Sequence, residues 1–168
     1  TSRATVLIDQ YINEKKPSTG YLESAIKDIN KALAIDSKDA ALYANLILIY
    51  KLKSDESSEE SALLTSIKYS PYINSWQYDE LASIYLKQKR YNELILLAST
   101  SLPVFTEYIK SALSSKTDVN WPETIKHVSS IYLLASTAYD KLGDKTKSKE
   151  FLSKSNSFTF KQWSFEKF

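Results

Sequence analysis

Counting back from Tyr85 in "LASIYLKQKRYNELI", apolar or small residues stand three, four and seven places earlier: Ala82, Leu81 and Tyr78. Those offsets put all four side chains on one face of an α-helix. The same offsets give Ile47, Leu46 and Tyr43 before Tyr50, and Ser136, Ala135 and Tyr132 before Tyr139. Before Tyr11 they give Ile8, Leu7 and Ala4. The pattern recurs four times, and each copy is followed by a break and a second amphipathic stretch. The second stretches carry Ala25, Ile29, Ala32 and Leu33, then Ala62, Ser66 and Tyr69, then Leu94, Ala98 and Ser101, then Ser148, Leu152 and Ser155. Small residues at such positions let two helices approach closely, because their separation depends on side-chain size. The pattern predicts helix pairs repeated along the chain.

This arrangement resembles the tetratricopeptide repeat, a helix–turn–helix unit of about 34 residues. Tyr78, Leu81, Ala82, Tyr85, the corner residue Tyr91 and Leu94 fall at family positions, and Leu142–Gly143 keeps the family's Leu–Gly corner. Tyr50 and Tyr85 are 35 residues apart, near one period, whereas Tyr11 and Tyr50 are 39 apart and Tyr85 and Tyr139 are 54 apart. The resemblance implies an all-α, right-handed α-solenoid of about four units, covering residues 1–37, 38–73, 74–102 and 123–156. The long third interval predicts an extra helix over 103–115 that starts with Pro103 in its first turn. Asn120 and Glu123 resemble a capping pair for the helix that follows. Residues 157–168 form an aromatic tail read as a capping segment, or else as a partner-binding strip. Phe160, Trp163 and Phe165 are its candidate contacts.

Composition supports a helical reading. The chain of 168 residues holds Gly 2 and Pro 4, too few for the turns and phosphate-binding corners of a mixed α/β enzyme. It is 43% hydrophobic and 25% charged, the balance of a folded chain. Cysteine is absent, which excludes a disulfide, a thiolate metal site and a cysteine nucleophile. Net charge is +2, too small to imply nucleic-acid binding, although Lys145, Lys147, Lys149, Lys154, Lys161 and Lys167 outweigh Glu150 and Glu166 at one end. No apolar run approaches the roughly 20 residues of a membrane span.

Candidate chemistry is sparse. His127 is the sole histidine, set early on a helix with Glu123 four residues before it, and reads as a solvent-facing side chain. One histidine without cysteine does not make a zinc site. "DESSEES", from Asp55 to Ser61, lacks the glycine and ligand order of a calcium loop and reads as a solvated corner with an acidic helix start. The basic corner from Leu86 to Arg90 reads as closing a helix C-terminus, where cations are favoured. No catalytic residue, metal or cofactor is expected.

The resemblance implies that a partner lies against first-helix residues. The corresponding positions here are Ser2, Thr5, Val6 and Asp9; Ala41, Ala44, Asn45 and Leu48; Trp76, Asp79, Glu80 and Ile84; and Ser130, Leu133, Leu134 and Thr137. Of these, Asn45, Leu48, Trp76, Asp79 and Glu80 are the candidate groove residues. Asp79 and Glu80 would repel a carboxylate, so a chaperone-tail clamp is disfavoured. The implied function is a protein-interaction scaffold or adaptor that binds a protein or peptide. The chain starts at Thr1 without methionine, which suggests a processed or excised piece of a longer protein. The second reading is therefore an extracytoplasmic domain of a larger bacterial envelope, secretion or polysaccharide-assembly membrane protein.

Overall fold

A computed structural model describes residues 3–14, 18–71, 74–115 and 121–158, without the side chains of 112–115 and 121. Among them are eight α-helices and no strand: α1 (Arg3–Asn13), α2 (Thr19–Leu33), α3 (Ala40–Leu52), α4 (Glu56–Tyr69), α5 (Ser75–Lys87), α6 (Tyr91–Ser115), α7 (Trp121–Lys141) and α8 (Lys145–Ser157). They fall into two compact units, Thr1–Pro71 and Tyr72–Phe168. In the first unit α1 packs on α2, α2 on α3 and α3 on α4; in the second, α7 packs on α5, α6 and α8, and α5 packs on α6.

The tyrosine-centred pattern is the core pattern. Three places before each tyrosine, Ile8, Ile47, Ala82 and Ser136 are all buried. Leu46, Leu81 and Ala135 are buried one place earlier, and Tyr85 and Tyr139 are themselves buried. Sixteen places after Tyr50, Tyr85 and Tyr139 stand Ser66, Ser101 and Ser155, all buried on second helices. The Ser155 hydroxyl donates to the Ser129 carbonyl at 2.8 Å, and the Ser129 hydroxyl donates to the Ser155 carbonyl at 3.0 Å. One turn-pair along, the Ser136 hydroxyl donates to the Ser148 carbonyl at 2.8 Å. Small side chains thus let α7 and α8 approach until hydroxyl and backbone meet. The aromatic that fills this seam is Phe151, with its ring centroid 5.0 Å from Tyr139 and 5.6 Å from Tyr132. Leu152, expected on that face, is exposed instead.

Three corners share one construction. The amides of Asp55, Arg90 and Asp144 donate to the carbonyls of Tyr50, Tyr85 and Tyr139 at 2.9, 2.8 and 2.9 Å. The preceding residues, Ser54, Lys89 and Gly143, have φ of 56°, 60° and 86°. A left-handed residue with this six-to-one hydrogen bond is the Schellman ending of a helix. At two corners a residue with a Cβ accepts that conformation because the chain must turn at once into the next helix. Lys89→Gly should therefore raise stability, by up to about 1 kcal/mol, and Gly143→Ala should lower it by about 1 kcal/mol. A Cβ on Gly143 would meet nothing within 4 Å, so backbone strain alone sets the second change. Urea unfolding of the two variants checks the opposite signs.

Charge completes the corners. Asp55 caps α4 by accepting from the Ser58 amide at 3.1 Å, and bonds to Ser58 hold its carboxyl below the usual range. The Arg90 guanidinium lies over the Tyr85 ring, 4.4 Å from its centroid, and donates to Glu93 at 2.9 Å. That bond holds the Glu93 carboxyl down, as the Lys145 ammonium does for Asp140. The basic corner is thus engaged within the chain, as its sequence suggests. Glu59, read as part of a solvated acidic start, is buried.

The expected separate helix over 103–115 is instead the second half of α6, which runs unbroken through Pro103. An interior proline removes one helical hydrogen bond and costs about 3 kcal/mol. One feature opposes the break. Leu94, Ala98, Ser101, Leu102, Phe105 and Ile109 form one continuous buried stripe across the proline. Pro103 itself lies on the exposed side.

Candidate interaction surface

The candidate residues divide between the units. Asn45 and Leu48 lie on α3 in the first unit, where Asn45 is half-buried and Leu48 is 39% exposed. Trp76, Asp79 and Glu80 lie on α5 in the second, all half-buried. Their spacing of three and four residues puts these three on one face of α5. Ile84, expected beside them, is buried and belongs to the core. The position equivalent to Leu48 and Thr137 is Ser83, which is exposed and donates its hydroxyl to the Asp79 carbonyl at 3.0 Å. Val6 and Asp9 are exposed on α1, and Thr5 is half-buried. Ser2, Asn120, Phe160, Trp163 and Phe165 lie outside the described residues.

On α7, Ser130, Leu134 and Thr137 are half-buried, and Leu133 is 47% exposed. The join between α5 and α7 on this side is polar. His127 Nδ1 lies 2.8 Å from Asp79 Oδ2, with side chains 22% and 20% exposed. His127 Nε2 also lies 3.9 Å from Glu123, whose carboxylate meets Lys126 at 3.5 Å. His127 is thus a cross-brace between two first helices rather than a solvent-facing side chain. The brace fixes the α5 face bearing Trp76 and Glu80 next to the α7 face bearing Ser130 and Leu133. The sequence shows Glu123 one turn before His127, but the partner that matters is 48 residues away.

The surface is therefore mixed: carboxylates at Asp79, Glu80 and Glu123, an indole at Trp76 and an exposed aliphatic at Leu133. Such a surface suits non-covalent recognition, with apolar anchors and polar register. No group of three or more His, Asp or Glu side chains among the described residues is placed to hold a metal ion. No described helix is long and apolar enough to cross a membrane. The lysine-rich end is partly neutralised, with Lys145 on Asp140 and Lys154 on Glu150, each at 2.6 Å.

No curated protein matches the sequence. One solved structure, described as that of YrrB, a TPR protein with an unusual peptide-binding site, superposes with a TM-score of 0.43 at 15% identity. The match covers 94% of this chain and 93% of that one. The family model of the tetratricopeptide repeat matches residues 129–159, the stretch that holds most of α7, its Gly143 corner and α8. The α7–α8 pair is thus the part of the chain that matches the tetratricopeptide repeat.

Proposed function

We propose that the chain is a protein-interaction scaffold that holds a peptide or protein segment against the first-helix face of its second unit, on α5 and α7, with the α3 face of the first unit as a separate candidate surface. The observation that carries this reading is the braced α5–α7 face, where Leu133 stays exposed between half-buried polar residues. Trp76, Asp79 and Glu80 contribute the α5 side of the contact, and Asn45 with Leu48 are the candidate contacts of the first unit's own α3 face. Binding is by shape and charge, with no covalent step.

Selection of peptides from a random display library on the intact chain tests the reading. Selected peptides should compete with one another, and Leu133→Asp or Glu80→Lys should weaken them at least about tenfold with helicity unchanged, equivalent to about 1.4 kcal/mol. Peptides indifferent to substitutions at Leu48, Trp76, Glu80 and Leu133 would place recognition elsewhere.

A further inference from the structure

The aromatic residues of the α7–α8 pair form one cluster of four rings. Tyr132 and Tyr139 on α7 both meet Phe151 on α8, and Phe158 stacks on Tyr132 with ring centroids 5.4 Å apart. Phe151 stands twelve places after Tyr139, and Phe158 twenty-six places after Tyr132. The α3–α4 pair keeps three of these four positions aromatic. Tyr43 and Tyr50 stand on α3, and Tyr69, twenty-six places after Tyr43, has its ring centroid 5.9 Å from it. Twelve places after Tyr50 stands Ala62.

Where the fourth ring is missing there is a cleft of about 180 Å³. Tyr43 and Tyr50 line it from α3, and Ser58, Ser61, Ala62 and Thr65 from α4. At the same offsets α8 carries Lys147, Glu150, Phe151 and Lys154, each a larger side chain. The Lys147 ammonium lies 5.3 Å from the Tyr139 ring centroid and the Lys154 ammonium 5.4 Å from that of Phe151, so cations close that cluster from outside. On α4 short hydroxyl side chains stand in their place and leave the mouth open. Burial follows: Tyr132 and Tyr139 are buried, whereas Tyr43 and Tyr50 are half-buried. On α6 the matching residue is Leu97, and there Tyr78 and Tyr85 are both buried. The cleft outside Leu97, about 350 Å³, reaches Tyr85 but not Tyr78.

The chemistry of the α3–α4 cleft selects its occupant. An apolar space of about 150 Å³ takes a benzene ring. Aromatic pairs favour centroid separations of about 4.5–7 Å, the range that Phe151 holds to both of its tyrosines. No charged group lines the cleft among the described residues, so a charged ligand would lose hydration there without a counter-ion. Charge and shape both favour a neutral phenyl ring, the group that fills the equivalent place against α7. Ser61 is exposed at the rim, which leaves room for a backbone to continue from the ring.

We propose that the α3–α4 cleft binds a phenylalanine side chain of a polypeptide partner, received against Tyr43, Tyr50 and Ala62. The site lies within the first unit and does not depend on the α5–α7 face.

The test titrates the full chain with acetyl-Ala-Phe-Ala-amide and follows the ring resonances of Tyr43 and Tyr50 by NMR. Saturable shifts are expected, with acetyl-Ala-Leu-Ala-amide at least about threefold weaker. Ala62→Phe supplies the missing ring in cis. It should raise the thermal midpoint by about 2–8 °C and weaken the tripeptide at least about tenfold. Thr65→Lys sets a lysine where Lys154 covers Phe151, and should weaken the tripeptide with the midpoint little changed. Absence of saturable shifts, equal binding of the leucine tripeptide, or binding indifferent to Thr65→Lys would overturn the site. A lowered midpoint for Ala62→Phe would overturn it too, because the cleft would not have the shape of a ring. Benzyl alcohol bound as tightly as the tripeptide would overturn the polypeptide assignment.

Discussion

Phe105→Ala is expected to destabilise the second unit by about 3–5 kcal/mol, since it empties a fully enclosed aromatic site. Phe105 is among the largest fully buried side chains, and its ring meets Tyr78 edge-on, with centroids 5.1 Å apart and planes at 82°. Such a pair contributes about 0.5–1.5 kcal/mol beyond the area it buries. The position has a second role. Phe105 lies two residues beyond Pro103, and the stripe it belongs to holds α6 helical across the proline. Loss of the ring therefore removes core and weakens the reason for the helix to continue. Tyr108→Ala on the same helix is the control, because that side chain is exposed and its loss should cost less than about 0.5 kcal/mol. Urea unfolding followed by circular dichroism separates the two. Equal effects would mean that burial along α6 does not follow this stripe.

The all-α class and the pair seams were legible because they rest on local periodicity. Tyr85, Ala82 and Leu81 share a face at three- and four-residue spacing, and the core uses that face. The glycine-poor corners were legible from the tyrosine spacing even though Ser54 and Lys89 do not advertise a left-handed turn. Pro103 was misread because proline signals a helix start or stop, while a continuous buried stripe outweighs it here. That stripe is visible in the sequence at Leu94, Ala98, Leu102, Phe105 and Ile109, and it is the signal that competes with the proline.

The candidate surface was harder to read. Periodicity identifies which residues share a face of α5, and it put Trp76, Asp79 and Glu80 together. It does not identify which residue of another helix faces Asp79. His127 answers that from 48 positions away, through a contact set by how α5 and α7 pack. Likewise, the choice between Phe151 and Leu152 as the seam residue is a one-position shift in register. It was decided by the close approach that Ser148 and Ser155 allow α8 to make on α7.

Ser136→Leu should open that approach, at a cost of about 2–4 kcal/mol. Ser136 is buried on α7, with its hydroxyl 2.8 Å from the Ser148 carbonyl and 3.3 Å from the Ser148 hydroxyl. A leucine there must displace α8, and overpacking of this kind costs about 1–3 kcal/mol. The lost hydrogen bond contributes about a further 1 kcal/mol. Displacement would also lengthen the Ser129–Ser155 contacts and separate Phe151 from Tyr132 and Tyr139, so its effect is felt along the whole seam. Ser136→Ala keeps the close approach and loses the hydroxyl alone. It installs the residue that stands at the equivalent position, Ala82, and should cost only about 0.5–1.5 kcal/mol. A large gap between the two variants in thermal melts means that side-chain size sets the α7–α8 distance. If leucine and alanine cost the same, the hydroxyl pairs hold the seam and close packing does not.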